Sequence, residues 1–216
     1  MRLFACLFGI FALSLQAFVE ASDLESLETR EAGLLWSAVG RLVFGVDRGF
    51  CTASLIAPDV ILTAAHCLFN EKTGRRHKLG GFEFQAGWRN GRAVAYRKIR
   101  AAFPHPQYKF KSQDMIGKVG FDIALVILDH PIHNSEIRPF SIDTLPSRRE
   151  YVAVVSYAKG RKDVPSVQSV CSVRAEQQGI LVFTCDVDYG ASGSPVFIKT
   201  DKGAVIVSLI SAMAQI

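Results

Sequence analysis

From Trp36 onward the chain is a succession of short apolar runs, many of them β-branched, broken by turn signals. Leu42 to Val46, Val60 to Thr63, Asp122 to Leu128, Tyr151 to Tyr157, Gln168 to Val173 and Ile180 to Cys185 each read as a strand. Glu83 to Trp88 and Ala93 to Lys98 flank Arg89-Asn90-Gly91, a turn signal, and read as a hairpin. Pro195 to Lys199 and Ala204 to Ile210 form a second hairpin around the turn in Lys199 to Ala204. Many short strands at this spacing make the chain all-β, and the pattern alone leaves a sandwich and a pair of barrels both open. There is no internal repeat, low-complexity tract or long linker.

The 216 residues are 49% hydrophobic and 21% charged, a globular balance that excludes disorder. The length fits one compact unit or two small subdomains sharing an interface. A net charge of +5 is mildly basic. Its densest cluster, Arg75-Arg76-His77-Lys78 after Gly74, reads as a solvated loop, so no nucleic-acid partner is expected.

The first residues read as a targeting segment. Met1-Arg2 is a short positive start, and Leu3 to Leu15 is apolar but too short to span a bilayer comfortably. Val19-Glu20-Ala21 fits a signal-peptidase site, so residues 1–21 are expected to be removed and the mature chain to begin at Ser22. The rival is an uncleaved anchor. Leu3-Phe4-Ala5-Cys6 fails as a lipoprotein box because the apolar segment follows the cysteine. The product is expected to be secreted or periplasmic, off the membrane once the signal is gone, with residues 22–35 as a lead-in or short propeptide.

Cleavage leaves Cys51, Cys67, Cys171 and Cys185. An even number in an exported chain points to two disulfides. Of the three pairings, Cys51 with Cys67 and Cys171 with Cys185 is the most local. Metal binding, the alternative, lacks a Cys-x-x-Cys or His-x-x-x-His spacing.

Three short stretches carry candidate chemistry. In Leu62 to Phe69, "LTAAHCLF", His66 is held beside Cys67 at the end of an apolar strand. A lone histidine is more often structural than catalytic, and His77, His105, His130 and His133 have weaker settings. In Val119 to Leu128, "VGFDIALVIL", Asp122 opens an apolar strand, where a carboxylate must be capped, paired or hydrogen-bonded. It is either a turn residue at the strand start or a carboxylate that orients a histidine. In Asp186 to Phe197, "DVDYGASGSPVF", Ser192 lies among small residues that would let a substrate approach the backbone. A nucleophilic serine needs a base and backbone N–H groups aimed at the developing oxyanion, whereas the same small residues also suit a plain turn.

In this order, "LTAAHC", "DIALVIL" and "GASGSP" resemble the signature segments of trypsin-like (chymotrypsin-fold) serine proteases. Phe50 to Cys67 resembles the first half of that family's first barrel, and the Cys51 to Cys67 spacing matches the family disulfide. His105 to Tyr108 resembles the approach to the family aspartate. The resemblance runs from about residue 36 to 213 and is weakest from Phe140 to Val182. Ser192-Gly193-Ser194-Pro195 and the compact second half look closer to the bacterial glutamyl-endopeptidase-like branch than to digestive trypsins. The resemblance implies a double six-stranded β-barrel, with the first barrel over 36–130 and the second over 131–216. It implies a serine endopeptidase acting on polypeptides, without cofactor or metal. Ser192 would be the nucleophile, His66 the base and then acid, and Asp122 the orienting carboxylate. The N–H groups of Gly190 and Ser192 would form the oxyanion hole. Ser211 would lie beside the aspartate, and Ser211, Ala212 and Met213 would pair with the substrate main chain as a strand. Asp186, six residues before Ser192, matches the trypsin-like specificity aspartate, which favours Arg or Lys; Asp188 is a second candidate. A glutamate-preferring pocket is the alternative that the bacterial branch implies.

The sequence departs from the family twice. Ala191 stands where zymogen relatives carry an aspartate that pairs with a new N-terminus, so no activation of that kind is expected. Relatives usually carry a further strand after the segment matching Ser211 to Met213. Here the chain stops at Ile216, and the second barrel is expected to lack its last strand and to expose an edge. Both departures leave open an alternative function, a protease-fold binding protein with weak or no turnover.

Overall fold

The computed structural model describes residues 24–45, 49–133, 135, 137–143 and 151–213. The expected signal peptide lies outside them. In chain order the elements begin with β1 (Glu25–Ser26) and α1 (Arg30–Leu34), then β2 (Val39–Phe44), β3 (Gly49–Ala57) and β4 (Val60–Thr63). After β4 come β5 (Glu83–Ala86), β6 (Ala95–Pro104), α2 (Met115–Gly120) and β7 (Ala124–Leu128). The rest are β8 (Tyr151–Ala158), β9 (Arg161–Gln177), β10 (Ile180–Phe183), β11 (Pro195–Thr200) and β12 (Gly203–Leu209).

The first unit is a closed barrel in the order β2-β3-β4-β7-β6-β5. Strand alternation sorts its side chains. In β7, Ala124, Val126 and Leu128 are buried, while Leu125 between them is 43% exposed. The β5–β6 connection is the hairpin expected at Asn90-Gly91. Both residues have positive φ, 46° and 85°, the twist that a tight hairpin requires.

The second unit is a sheet in the order β1-β9-β8-β11-β12, with β10 paired to β9. Among the described residues this sheet is not a closed ring, and β12 lies at its end. That edge is not bare. Ile142 forms a parallel bridge to Ile206, with the Asp143 N–H donating to the Ile206 carbonyl and the Ile206 N–H to Ser141, both at 2.9 Å. The chain linking the units thus covers part of the edge that sequence reasoning left exposed.

The two units share one core. Buried residues of the barrel, among them Leu42, Leu55 and Phe84, are continuous with Phe140, Val155, Tyr157 and Phe197 of the second unit. Trp36 packs against Phe140 and Phe197 at ring separations of 6.3 and 5.1 Å. Polar ties reinforce the interface. Arg41 lies over the rings of Phe50 and Trp88 while donating to the Lys162 carbonyl, and the Tyr157 hydroxyl donates to the Trp88 carbonyl at 2.8 Å.

The lead-in before Trp36 is part of this body. β1 pairs with β9, Leu27 is buried in the shared core, and Thr29 caps α1 by accepting from the Ala32 N–H. The sequence reading also missed β3, whose small and hydroxylic buried residues Thr52, Ala53 and Ser54 do not form an apolar run. It saw only the middle of β9, because the charged residues at its two ends hide a 17-residue strand.

Candidate active site

β4 delivers the chain into a short 3-10 turn, Ala65–Leu68, that carries His66. The disulfide from Cys67 to Cys51 on β3 pins this turn, with Cα atoms 6.3 Å apart. The second disulfide joins Cys171 to Cys185, so the local pairing holds at both positions. α2 ends just before Asp122, which sits 5% exposed at the mouth of β7.

His66 and Asp122 meet through two bonds. The His66 backbone N–H donates to Asp122 Oδ1 at 2.7 Å, and its ring Nδ1 lies 2.6 Å from Oδ2. The Ser211 hydroxyl donates to the same Oδ2 at 2.5 Å. Three donors therefore offset the cost of burying the carboxylate. An ionised carboxylate only accepts, so Nδ1 carries the proton and Nε2 is left as the acceptor nitrogen. Tyr108 is buried nearby, and burial followed by the charge of Asp122 raises its phenol well above the ordinary range.

The serine loop is held by its own backbone and by the barrel. The Ala191 N–H donates to Asp188 and the Ser194 N–H to Ala191, both at 2.9 Å. The Gly193 N–H donates to Ile210 at 2.7 Å. Gly193 has φ +78°, and a Cβ there would collide with the Thr52 carbonyl and the Thr63 hydroxyl, so only glycine fits. Gly190 has φ +96°, with the ring of Phe50 where a side chain would go. Among the described residues, no hydrogen bond engages the Ser192 hydroxyl, and none engages the N–H groups of Gly190 and Ser192.

Ser192 opens onto a cavity of about 170 Å³. Ser211, Ala212 and Met213 line it with Val187, Asp188, Tyr189 and Ile210. Glu71, from the loop after His66, closes it on the barrel side. Asp186 is not among the lining residues. It is exposed, and its N–H donates to the Gln168 side chain at 2.6 Å. Asp188 and Glu71 supply the carboxylates instead. Burial pushes the Arg161 guanidinium below the usual range, against the opposing pull of the Asp186 and Asp188 charges. Glu71 was missed because its loop has no sequence signature, and Thr52 because its partner lies 138 residues away.

A metal has little to bind here. The sulfurs of Cys51 and Cys67 and a ring nitrogen of His66 lie within 4.8 Å of one another, but the sulfurs are joined as a disulfide and offer no thiolate.

The family model described as Trypsin matches residues 35–216. Serine protease 23 of Homo sapiens is 27% identical over 169 residues, covering 70% of this chain and 44% of that protein. Glutamyl endopeptidase of Bacillus licheniformis is 25% identical over 155 residues, covering 71% and 47%. The chain thus spans a little under half the length of these curated relatives. A solved structure described as a Glu endopeptidase in complex with MPD superposes with a TM-score of 0.68 at 22% identity, covering 82% of this chain and 79% of that one. The fold is therefore the chymotrypsin-type double barrel, and the chain belongs to the Trypsin family.

Proposed function

We propose that the protein is an exported serine endopeptidase that cleaves peptide bonds through an acyl-enzyme on Ser192. The observation that carries this reading is the carboxylate network itself. Asp122 binds both the ring and the backbone of His66 and is braced by Ser211, beside the cavity that Ser192 lines. In this reading Ser192 Oγ attacks the scissile carbonyl carbon and its proton passes to His66 Nε2. The N–H groups of Gly190 and Ser192 stabilise the oxyanion. The C–N bond then breaks as His66 returns the proton to the leaving amine, and water releases the acyl group by the reverse sequence. Substrate main chain would lie along Ser211 to Met213 as an added strand. The two disulfides and the N-terminal sequence favour an oxidising compartment outside the cytoplasm.

The lining of the cavity bears on specificity. Among the described residues that line it, the charged side chains are the carboxylates of Glu71 and Asp188, with no cationic one. A basic substrate side chain is attracted there and a glutamate repelled. The preference therefore differs from the one that the name of the Bacillus relative states.

The test is hydrolysis of a matched panel of peptide esters ending in Arg, Lys, Glu or Phe. The expected result is turnover led by Arg and Lys and lost in Ser192→Ala. A folded protein that hydrolyses none of the four would favour the binding-protein alternative.

A further inference from the structure

We infer that Thr52 of the barrel is a positioning residue that keeps the oxyanion hole formed, doing so from outside the serine loop. The inference rests on the serine-peptidase reading of Ser192.

Peptides are trans here, so a bond to the carbonyl of a peptide sets the direction of its N–H. The Gly190 N–H shares its peptide with the Tyr189 carbonyl, which accepts from the Lys159 N–H at 2.6 Å. The Ser192 N–H shares its peptide with the Ala191 carbonyl, which accepts from Ser194. The two intervening carbonyls both go to one residue. The Thr52 hydroxyl donates to the Gly190 carbonyl at 3.0 Å, the nearer of two acceptors, the other being the Tyr157 carbonyl at 3.4 Å, and the Thr52 backbone N–H donates to the Ser192 carbonyl at 2.9 Å. Each peptide plane from 189 to 193 is thereby fixed. Among the described residues, the N–H groups of Gly190 and Ser192 are the ones in this run left for a substrate.

Thr52 is itself held without freedom. It is fully buried on β3, and its hydroxyl accepts from the Tyr157 N–H at 3.1 Å. Its carbonyl accepts from the Thr63 hydroxyl at 2.8 Å. The next residue on the other side is Cys51, tied by its disulfide to the residue after His66. One rigid strand thus fixes both the histidine turn and the loop of the nucleophile. These bonds hold the loop with an uncharged residue before the serine: Ala191 is buried at 1% exposure.

The test compares Thr52→Val and Thr52→Ser with the unaltered protein. Valine keeps the shape and removes the hydroxyl, whereas serine keeps the hydroxyl. Two readouts are needed: the rate of phosphonylation by an alkyl fluorophosphonate, per folded molecule, and amide hydrogen exchange. In that reaction Ser192 Oγ bonds to phosphorus, fluoride leaves and the proton goes to His66. Thr52→Val is expected to react about 100-fold more slowly, the usual effect of a small misplacement of catalytic groups, with serine restoring most of the rate. Exchange at the Ala191 and Gly193 amides should rise about tenfold in the valine variant, the effect of losing one hydrogen bond, while the β4 amides stay unchanged. A folded Thr52→Val that reacts at the full rate overturns the inference. If the unaltered protein does not react, the peptidase reading falls. The latch is then decided by exchange alone, with unchanged loop amides overturning it.

Discussion

Asp122 is a buried carboxylate with two oxygens and three donors, and its role follows from which donor each oxygen accepts. Asp122→Asn would place an N–H donor against His66 and favour the tautomer with its proton on Nε2, which is no base. Ester turnover is expected to fall about 10⁴-fold with the fold intact; an Asn variant with full turnover would show that the imidazole needs no orientation. Gly193→Ala tests the loop at the same scale. Its left-handed φ and the Thr52 and Thr63 oxygens leave no place for a methyl, so the midpoint of urea unfolding should drop by the equivalent of about 3 kcal/mol or more, and a change near zero would contradict the loop geometry. That His66, Asp122 and Ser211 meet was legible as letters, because each sits in a short ordered segment. Thr52 and Glu71 were not, since their meaning comes from residues that only the fold brings near. Asp186 shows the limit of spacing: an offset from Ser192 does not say which carboxylate lines the cavity, and the Gln168 side chain accepts from the Asp186 N–H.

At the scale of elements, β3 and β4 with their connecting disulfide form the platform for both halves of the site. Removing the bridge with Cys51→Ser and Cys67→Ser opens a closed loop of 16 residues, for an expected loss of about 3 kcal/mol in unfolding free energy. The same variant should lose ester turnover, because the turn holding His66 is pinned through Cys67; unaltered turnover would show that the β4 ladder alone positions the histidine. The Cys171–Cys185 bridge lies in the second unit and should affect stability more than turnover. Strand legibility followed the same physics as burial. β4 and the β11–β12 hairpin are apolar and flanked by turns, so pattern finds them. β3 fills a crowded interior with small residues and β9 carries charge at both ends, so neither has the expected pattern.

At the scale of the whole molecule, the barrel and the sheet act as one body because their core and their active-site loops interlock. The segment before Trp36 belongs to that body. Leu27 is 3% exposed, and its N–H donates to the Pro165 carbonyl at 2.9 Å, which fits a structural strap better than a removable propeptide. Leu27→Ala should cost about 2–5 kcal/mol in equilibrium unfolding, the range for emptying a buried leucine site. A change within about 0.5 kcal/mol, typical of a surface position, would mean the segment is only laid on the surface. The partial cover of β12 by residues 141–143 likewise answers the open edge that the strand count alone had implied. The proposed function requires this interlocked body to activate Ser192. The most direct measurement is mass-spectrometric mapping of the adduct after exposing the folded mature protein to a fluorophosphonate, beside a Ser192→Ala control. One phosphonyl group is expected, on Ser192, absent from the control and abolished by prior unfolding. A folded protein that stays unmodified, or carries the label equally in the control, would contradict it.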